Sequence, residues 1–130
     1  MNKQEASQAY LAATIENAPP IQIIRLLYQG ALRYLGQANQ VEQINSSSEF
    51  TALLGNVDDI VVELRLALDY GTGNDDEVPR NLERLYLFCE DELSRAQVER
   101  SKEPLGNIKH VLELLLDAWR NVEVQSGRAA

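Results

Sequence analysis

His110 is the only histidine in the 130-residue chain, and Glu113 follows it at the i, i+3 spacing that places two side chains on one helix face. A histidine and a carboxylate so placed could hold a metal or move a proton. A di-metal carboxylate bundle, however, needs a Glu-x-x-His pair on each of two helices plus further glutamates inside, and one histidine cannot furnish two pairs. The other chemistry open to a lone histidine on a helical bundle is phosphotransfer, with His110 taking a phosphoryl group from a partner's phosphoaspartate. Glu113 would repel the incoming phosphate, so the residues favour a solvated helix histidine. Cys89 lies in an apolar stripe and reads as a small, inert buried hydrophobe. As the single cysteine it can form neither an internal disulfide nor a Cys-x-x-Cys pair. Gly71 and Gly73 lack the Lys-Ser/Thr that completes a phosphate-binding loop. These residues form no catalytic constellation. The expectation is a protein that is not an enzyme and has no cofactor and no metal.

The elements that carry these residues are helical. Four segments repeat apolar residues at three- and four-residue steps, and none alternates as a half-buried strand does. The first follows Pro19-Pro20, residues tolerated in a helix's first turn, and its stripe is Ile24, Leu27, Tyr28, Ala31, Leu35 and Ala38. The second opens at Ser46, with Glu49 at capping-box spacing. Its stripe is Phe50, Leu53, Leu54, Val57, Ile60, Val61, Leu64 and Leu68, and Gly71 and Gly73 end it. The third starts among Asn74 to Glu77, acids that suit the positive end of a helix dipole. It buries Val78, Leu82, Leu85, Tyr86, Cys89, Leu93 and Ala96. The fourth starts near Pro104, with Ser101 or Glu103 as cap, and buries Leu105, Ile108, Leu112, Leu115, Leu116, Trp119 and Val122. Helices of about 20 residues joined by short loops predict an all-α, antiparallel up-down four-helix bundle over 19–124. Residues 1–18 form an N-terminal arm or short helix, and 125–130 a flexible tail.

Charge limits the partners. Twenty acidic against twelve basic residues, net −8, disfavour nucleic acid and anionic membranes. No run reaches the 18 or more apolar residues of a membrane span, so no membrane insertion is expected. The first residues, MNKQEASQAY, lack the apolar core of a signal peptide, and a lone cysteine suits a reducing compartment. The expected localisation is cytoplasmic.

The stripes leave apolar residues over. At about 100° per residue, Leu26, Val62, Leu66, Leu87 and Leu114 point away from their stripes, and Ile23, Tyr34, Phe88 and Val111 lie at the edges. Every helix thus carries at least one outlying aliphatic group. Such a bundle offers grooves to another chain's amphipathic helices. The same surplus can pair two copies as a homodimer when no client is present.

An ordered set of residues resembles one family. Tyr10, Ile15, Asn17-Ala18-Pro19-Pro20 and the run Ile23 to Leu32 (IIRLLYQGAL) are similar to the FliS signature of an early tyrosine, a Thr-Ala-Ser-Pro turn and a Leu-Ile-x-Met-Leu-Tyr-Asp-Gly-Ala-Leu helix. The spacing from the tyrosine to the second proline fits without a gap. Ile60, Glu63-Leu64 and Leu68-Asp69 resemble that family's second helix, Asn81-Leu82, Leu85-Tyr86, Leu93 and Ala96 its third, and Asp117-Ala118-Trp119 the end of its fourth. Pro19 stands in place of the usual capping serine, Gln29 in place of aspartate, and Leu26 where methionine is frequent. The resemblance implies a cytoplasmic chaperone that binds the disordered C-terminal segment of flagellin, prevents its premature polymerisation and presents it to the flagellar export gate. It also implies that Tyr10 anchors an arm over part of the client groove, and that a client displaces Tyr10 and Ile15. On the residues alone, a helical adaptor for another client and phosphotransfer at His110 remain open beside it.

Overall fold

A computed structural model of the chain describes residues 21–69 and 77–129, with side chains to Val124. Among these, helix α1 spans Ile21–Gln40, α2 Ser48–Leu66, α3 Glu77–Glu99 and α4 Glu103–Ala129. Each helix packs against two neighbours, in the ring order α1, α2, α3, α4. Cross-helix bonds set the directions. Arg25 near the start of α1 meets Glu123 near the end of α4, and Gln97 near the end of α3 reaches the carbonyl of Thr51 near the start of α2. Asn107 early in α4 bonds Glu92 late in α3. The architecture is the antiparallel all-α bundle that the periodicity predicts. The N-terminal arm and the Gly71–Gly73 loop lie outside the described residues.

The core follows the stripes closely. Leu27, Tyr28, Ala31, Leu35 and Ala38 of α1 are buried, with Phe50 to Leu64 of α2, Tyr86 to Ala96 of α3, and Leu105, Ile108, Leu112 and Leu116 of α4 supplying the other faces. No charged or polar residue is buried among them. Three residues read as core are exposed instead: Val78, Leu85 and Val122. Leu85 turns about 100° away from Tyr86, toward α4 rather than the bundle axis. Val78 lies in the first turn of α3, where fewer neighbours reach. Ile24, Leu68, Leu82, Leu115 and Trp119 are half-buried and pack against the core.

The caps explain where the helices stop. Ile44–Ser46 forms a 3-10 turn, so the expected cap Ser46 is used there, and the first extended residue is Ser47. Its hydroxyl accepts from Phe50 N at 3.0 Å, the N-cap bond displaced by one residue. Helix α2 ends at Leu66, ahead of the glycines, with Ala67 N bonding back to the Glu63 carbonyl. The hydroxyl of Ser101 accepts from Glu103 N at the start of α4.

Between α3 and α4, Arg100 takes the left-handed φ of 51° at the position after the helix where glycine is usual. The bond from Ser101 N to the Ala96 carbonyl, 3.1 Å, completes the Schellman turn. The strained backbone delivers the Arg100 guanidinium to the opposite loop. It donates to the carbonyls of Ile44 and Ser47 and to Thr51 Oγ1, and it lies 5.3 Å over the Phe50 ring. One side chain thereby ties the α1–α2 connection to the end of α3. Arg100→Ala is expected to lower the unfolding free energy by about 1.5–3 kcal/mol, the range for hydrogen bonds to a charged donor. Arg100→Gly should lose about 1 kcal/mol less, because glycine adopts this φ without penalty. Urea unfolding of the two variants checks both numbers, and equal losses would remove the strain from the account.

Candidate functional site

The seam between α3 and α4 changes character along its length. On α3, Leu85, Phe88, Glu92 and Arg95 recur at helical spacing on one stripe. That stripe faces α4, because Glu92 accepts from Asn107 at 2.9 Å and Arg95 pairs with Glu103 at 2.7 Å. On α4, Asn107, Val111, Leu114, Ala118 and Val122 continue the matching stripe. The end nearest the α3–α4 turn is therefore a polar clasp. Arg95, and after it Asn107, hold the Glu92 carboxyl below its ordinary range. Beyond the clasp the seam is apolar and open: Leu85 is 37% exposed, Phe88 41%, Leu114 59% and Val122 42%, over half-buried Val111 and Leu115. Large apolar groups this wet, in one strip bounded by charge, form a surface built for contact.

The α2–α3 seam carries a smaller apolar pair. Leu87, Glu90 and Gln97 share the stripe of α3 that faces α2, since Glu90 bonds Arg65 at 2.5 Å and Gln97 reaches the Thr51 carbonyl. Val62 shares the facing stripe of α2 with Asp58 and Arg65, and Leu66 stands one step outward. Burial, followed by the charges of Glu90 and Asp59, pushes the Asp58 carboxyl up. Periodicity singles out five outlying residues within the described range. Four of them, Leu26, Leu66, Leu87 and Leu114, are exposed, Leu66 at 71%, and Val62 is half-buried. They are spread over all four helices rather than gathered in one groove. Only Leu114 lies on the long apolar seam. Periodicity places its companions Leu85 and Val122 in the core and Phe88 at an edge, whereas all three are exposed. Tyr10 and Ile15 lie outside the described residues.

At the far end of the bundle, Ile24, Leu64, Leu68, Val78, Leu82 and Trp119 line a cleft of about 230 Å³. Below it the hydroxyls of buried Tyr28 and Tyr86 approach to 2.5 Å, and Trp119 Nε1 donates to Tyr28 Oη at 3.3 Å. These three aromatic groups join α1, α3 and α4 through one polar knot inside an apolar core.

The residues that could do covalent chemistry are not assembled. His110 is exposed on α4, and no hydrogen bond or ion pair holds it among the described residues. Cys89 is buried, and burial, with the charges of Glu90 and Glu92 adding, pushes its thiol up to about 12, far from a reactive thiolate. Among the described residues no group of three or more His, Cys, Asp or Glu side chains could hold a metal ion. No described helix is long and apolar enough to cross a membrane.

The bundle and its surface agree with the comparisons to known proteins. The chain is 29% identical over 119 residues to flagellar secretion chaperone FliSB of Pseudomonas aeruginosa, covering 92% of this chain and 93% of that protein. It is 29% identical over 122 residues to flagellar secretion chaperone FliS of Campylobacter jejuni, covering 94% of both. The flagellar secretion chaperone FliS of Vibrio cholerae is 25% identical over 119 residues, covering 88% of this chain and 86% of that protein. The family that these names share is one of chaperones and not of enzymes. The model of the family described as flagellar protein FliS matches residues 2–126, nearly the whole chain, with α1 to α3 and all but the last turn of α4 inside it, and the chain belongs to that family.

Proposed function

We propose that this protein is a cytoplasmic flagellar export chaperone that binds the disordered C-terminal region of flagellin, prevents its premature polymerisation and delivers it to the flagellar type III export gate. Family membership supports the export-chaperone role. The observation that carries the client reading is the open apolar seam of Leu85, Phe88, Leu114 and Val122, with Leu26, Leu66 and Leu87 distributed round the other faces. A chain that wraps the bundle meets an apolar anchor on every helix. A disordered segment spends conformational entropy when it folds on a surface, and buried apolar area offsets that cost. Covering the apolar face of the client also removes the surface through which subunits would join. In this reading Tyr10 and Ile15 anchor the N-terminal arm over part of the groove, and the client displaces them.

Calorimetric titration of the full chain with a synthetic C-terminal flagellin peptide tests the proposal. Binding with a negative heat-capacity change and a gain of helical circular dichroism is the expected result. Absence of binding at concentrations on the order of tens of micromolar, about −6 to −7 kcal/mol, removes flagellin as the client.

A further inference from the structure

The seam between α1 and α4 has a different chemistry from the client seam. It opens into a groove of about 640 Å³ running beside residues Gln29 to Asn39, roughly three helical turns. Leu32, Leu35, Leu105 and Leu116 form its floor. Gly36 on α1 and Gly106 on α4 open its walls, because a Cβ built on either would meet nothing within 4 Å. Glycine is a poor residue for a helix interior, so two of them facing one empty groove hold space that packing within the chain does not use. The ion pair between Arg25 and Glu123, at 3.2 Å, closes one end.

The rim is basic in an otherwise acidic molecule. Arg33, Lys109 and Arg120 line the groove against the single carboxylate Glu113, although the chain carries a net charge of −8. Elsewhere Arg65 bonds Glu90, Arg95 bonds Glu92 and Glu103, and Arg100 bonds the loop carbonyls. Lys109 reaches Glu113 only at 3.9 Å with both side chains more than half exposed. Arg120 makes no ion pair among the described residues. The cations stand along the rim and do not converge on a point, and the floor is apolar. That arrangement suits neither a bound phosphate nor a nucleic-acid backbone. It suits a rod of about 10 Å diameter with an apolar stripe and negative flanks.

We propose that the α1–α4 groove docks an amphipathic helix of a partner protein whose apolar stripe seats on Leu32, Leu35, Leu105 and Leu116 and whose flanking Asp and Glu residues meet Lys109 and Arg120. The site is independent of the client seam, with which it shares no residue. A chaperone with both surfaces can seat its client on the α3–α4 seam and on the outlying leucines while a second, acidic protein reads the α1–α4 groove.

Two synthetic helices of about 18 residues, about five turns, test this on the full chain. Both carry the same leucine stripe, flanked by glutamates in one and by lysines in the other. The glutamate helix is expected to bind at least about tenfold tighter than the lysine helix and to weaken as salt is raised. Its amide-shift map should centre on Gly36 and Gly106. Lys109→Glu combined with Arg120→Glu should cost at least about tenfold by reversing the rim charge. Gly36→Leu should remove binding by filling the groove while the circular dichroism stays native, since its helix has room for the side chain. Equal affinity for the two helices overturns the proposal. So does undiminished binding in both variants, or a shift map centred on Phe88 and Leu114. Displacement of the glutamate helix by a short oligonucleotide at lower concentration would make the groove a polyanion site and overturn it as well.

Discussion

Tyr28→Phe is expected to lower the unfolding free energy by about 1–3 kcal/mol, although the change removes a single oxygen. That oxygen lies 2.5 Å from the hydroxyl of Tyr86 and accepts from Trp119 Nε1 at 3.3 Å. Tyr28 and Tyr86 are among the largest fully buried side chains, so water does not replace the lost bonds at no cost. Tyr28→Ala adds the loss of the ring and the cavity it leaves, about 3–5 kcal/mol in all. Tyr34→Phe is the control. Tyr34 sits half-buried at the edge of the same helix, its ring 5.4 Å from the Arg33 guanidinium, and its change should stay within about 0.5 kcal/mol. Urea titrations of the three variants give the differences directly. A neutral Tyr28→Phe would show that the aromatic knot contributes packing alone.

Phe88→Asp combined with Leu114→Asp is expected to weaken the flagellin peptide by at least about 100-fold. Burying one large apolar side chain is worth about 1.5–3 kcal/mol and about half of that remains to be gained at each of these sites, so two lost anchors supply most of that factor and the cost of burying two carboxylates supplies the rest. The free chaperone should be nearly indifferent, because both side chains are already about half in water. Native helicity and an unchanged unfolding midpoint are therefore part of the expected result. Leu112→Asp supplies the contrast. Leu112 is fully buried two residues before Leu114, and a carboxylate there should unfold the bundle. Undiminished peptide affinity in the double variant would move the client off the α3–α4 seam, leaving family membership untouched. Leu66→Asp and Leu26→Asp, on α2 and α1, then measure how far round the bundle the client extends.

Individual residues show how much of this was legible beforehand. The buried stripes of α1 and α2 were readable because their apolar residues occupy one arc of a regular helix and no strong signal competes with them. Leu85 and Val122 were misread for the opposite reason. Each is a large aliphatic residue near the margin of its stripe, and hydrophobicity alone cannot say on which side of the margin a neighbouring helix will close. Ser47, the middle of three consecutive serines, became the cap only because Ile44–Ser46 tightened into a 3-10 turn. Nothing in a basic residue after a polar helix end announced Arg100 as a left-handed linchpin, since three of its acceptors and its ring come from the α1–α2 connection and the first turn of α2, some 50 residues earlier. The family resemblance was legible throughout the chain, because an ordered set of motifs survives where individual positions drift.

The sequence by itself determined the four helical segments of the bundle among the described residues, the composition of the core and the family. These depend on local period, residue type and order, which act before any two helices touch. Tertiary structure alone decided which margin residues stay wet, where the polar clasp of Glu92, Arg95, Glu103 and Asn107 ends, and that the α1–α4 seam is basic while the α3–α4 seam is apolar. The physical reason is that a seam is made by two helices at once. Its exposure and charge depend on their register and rotation, which follow from packing the whole bundle and appear in neither helix alone.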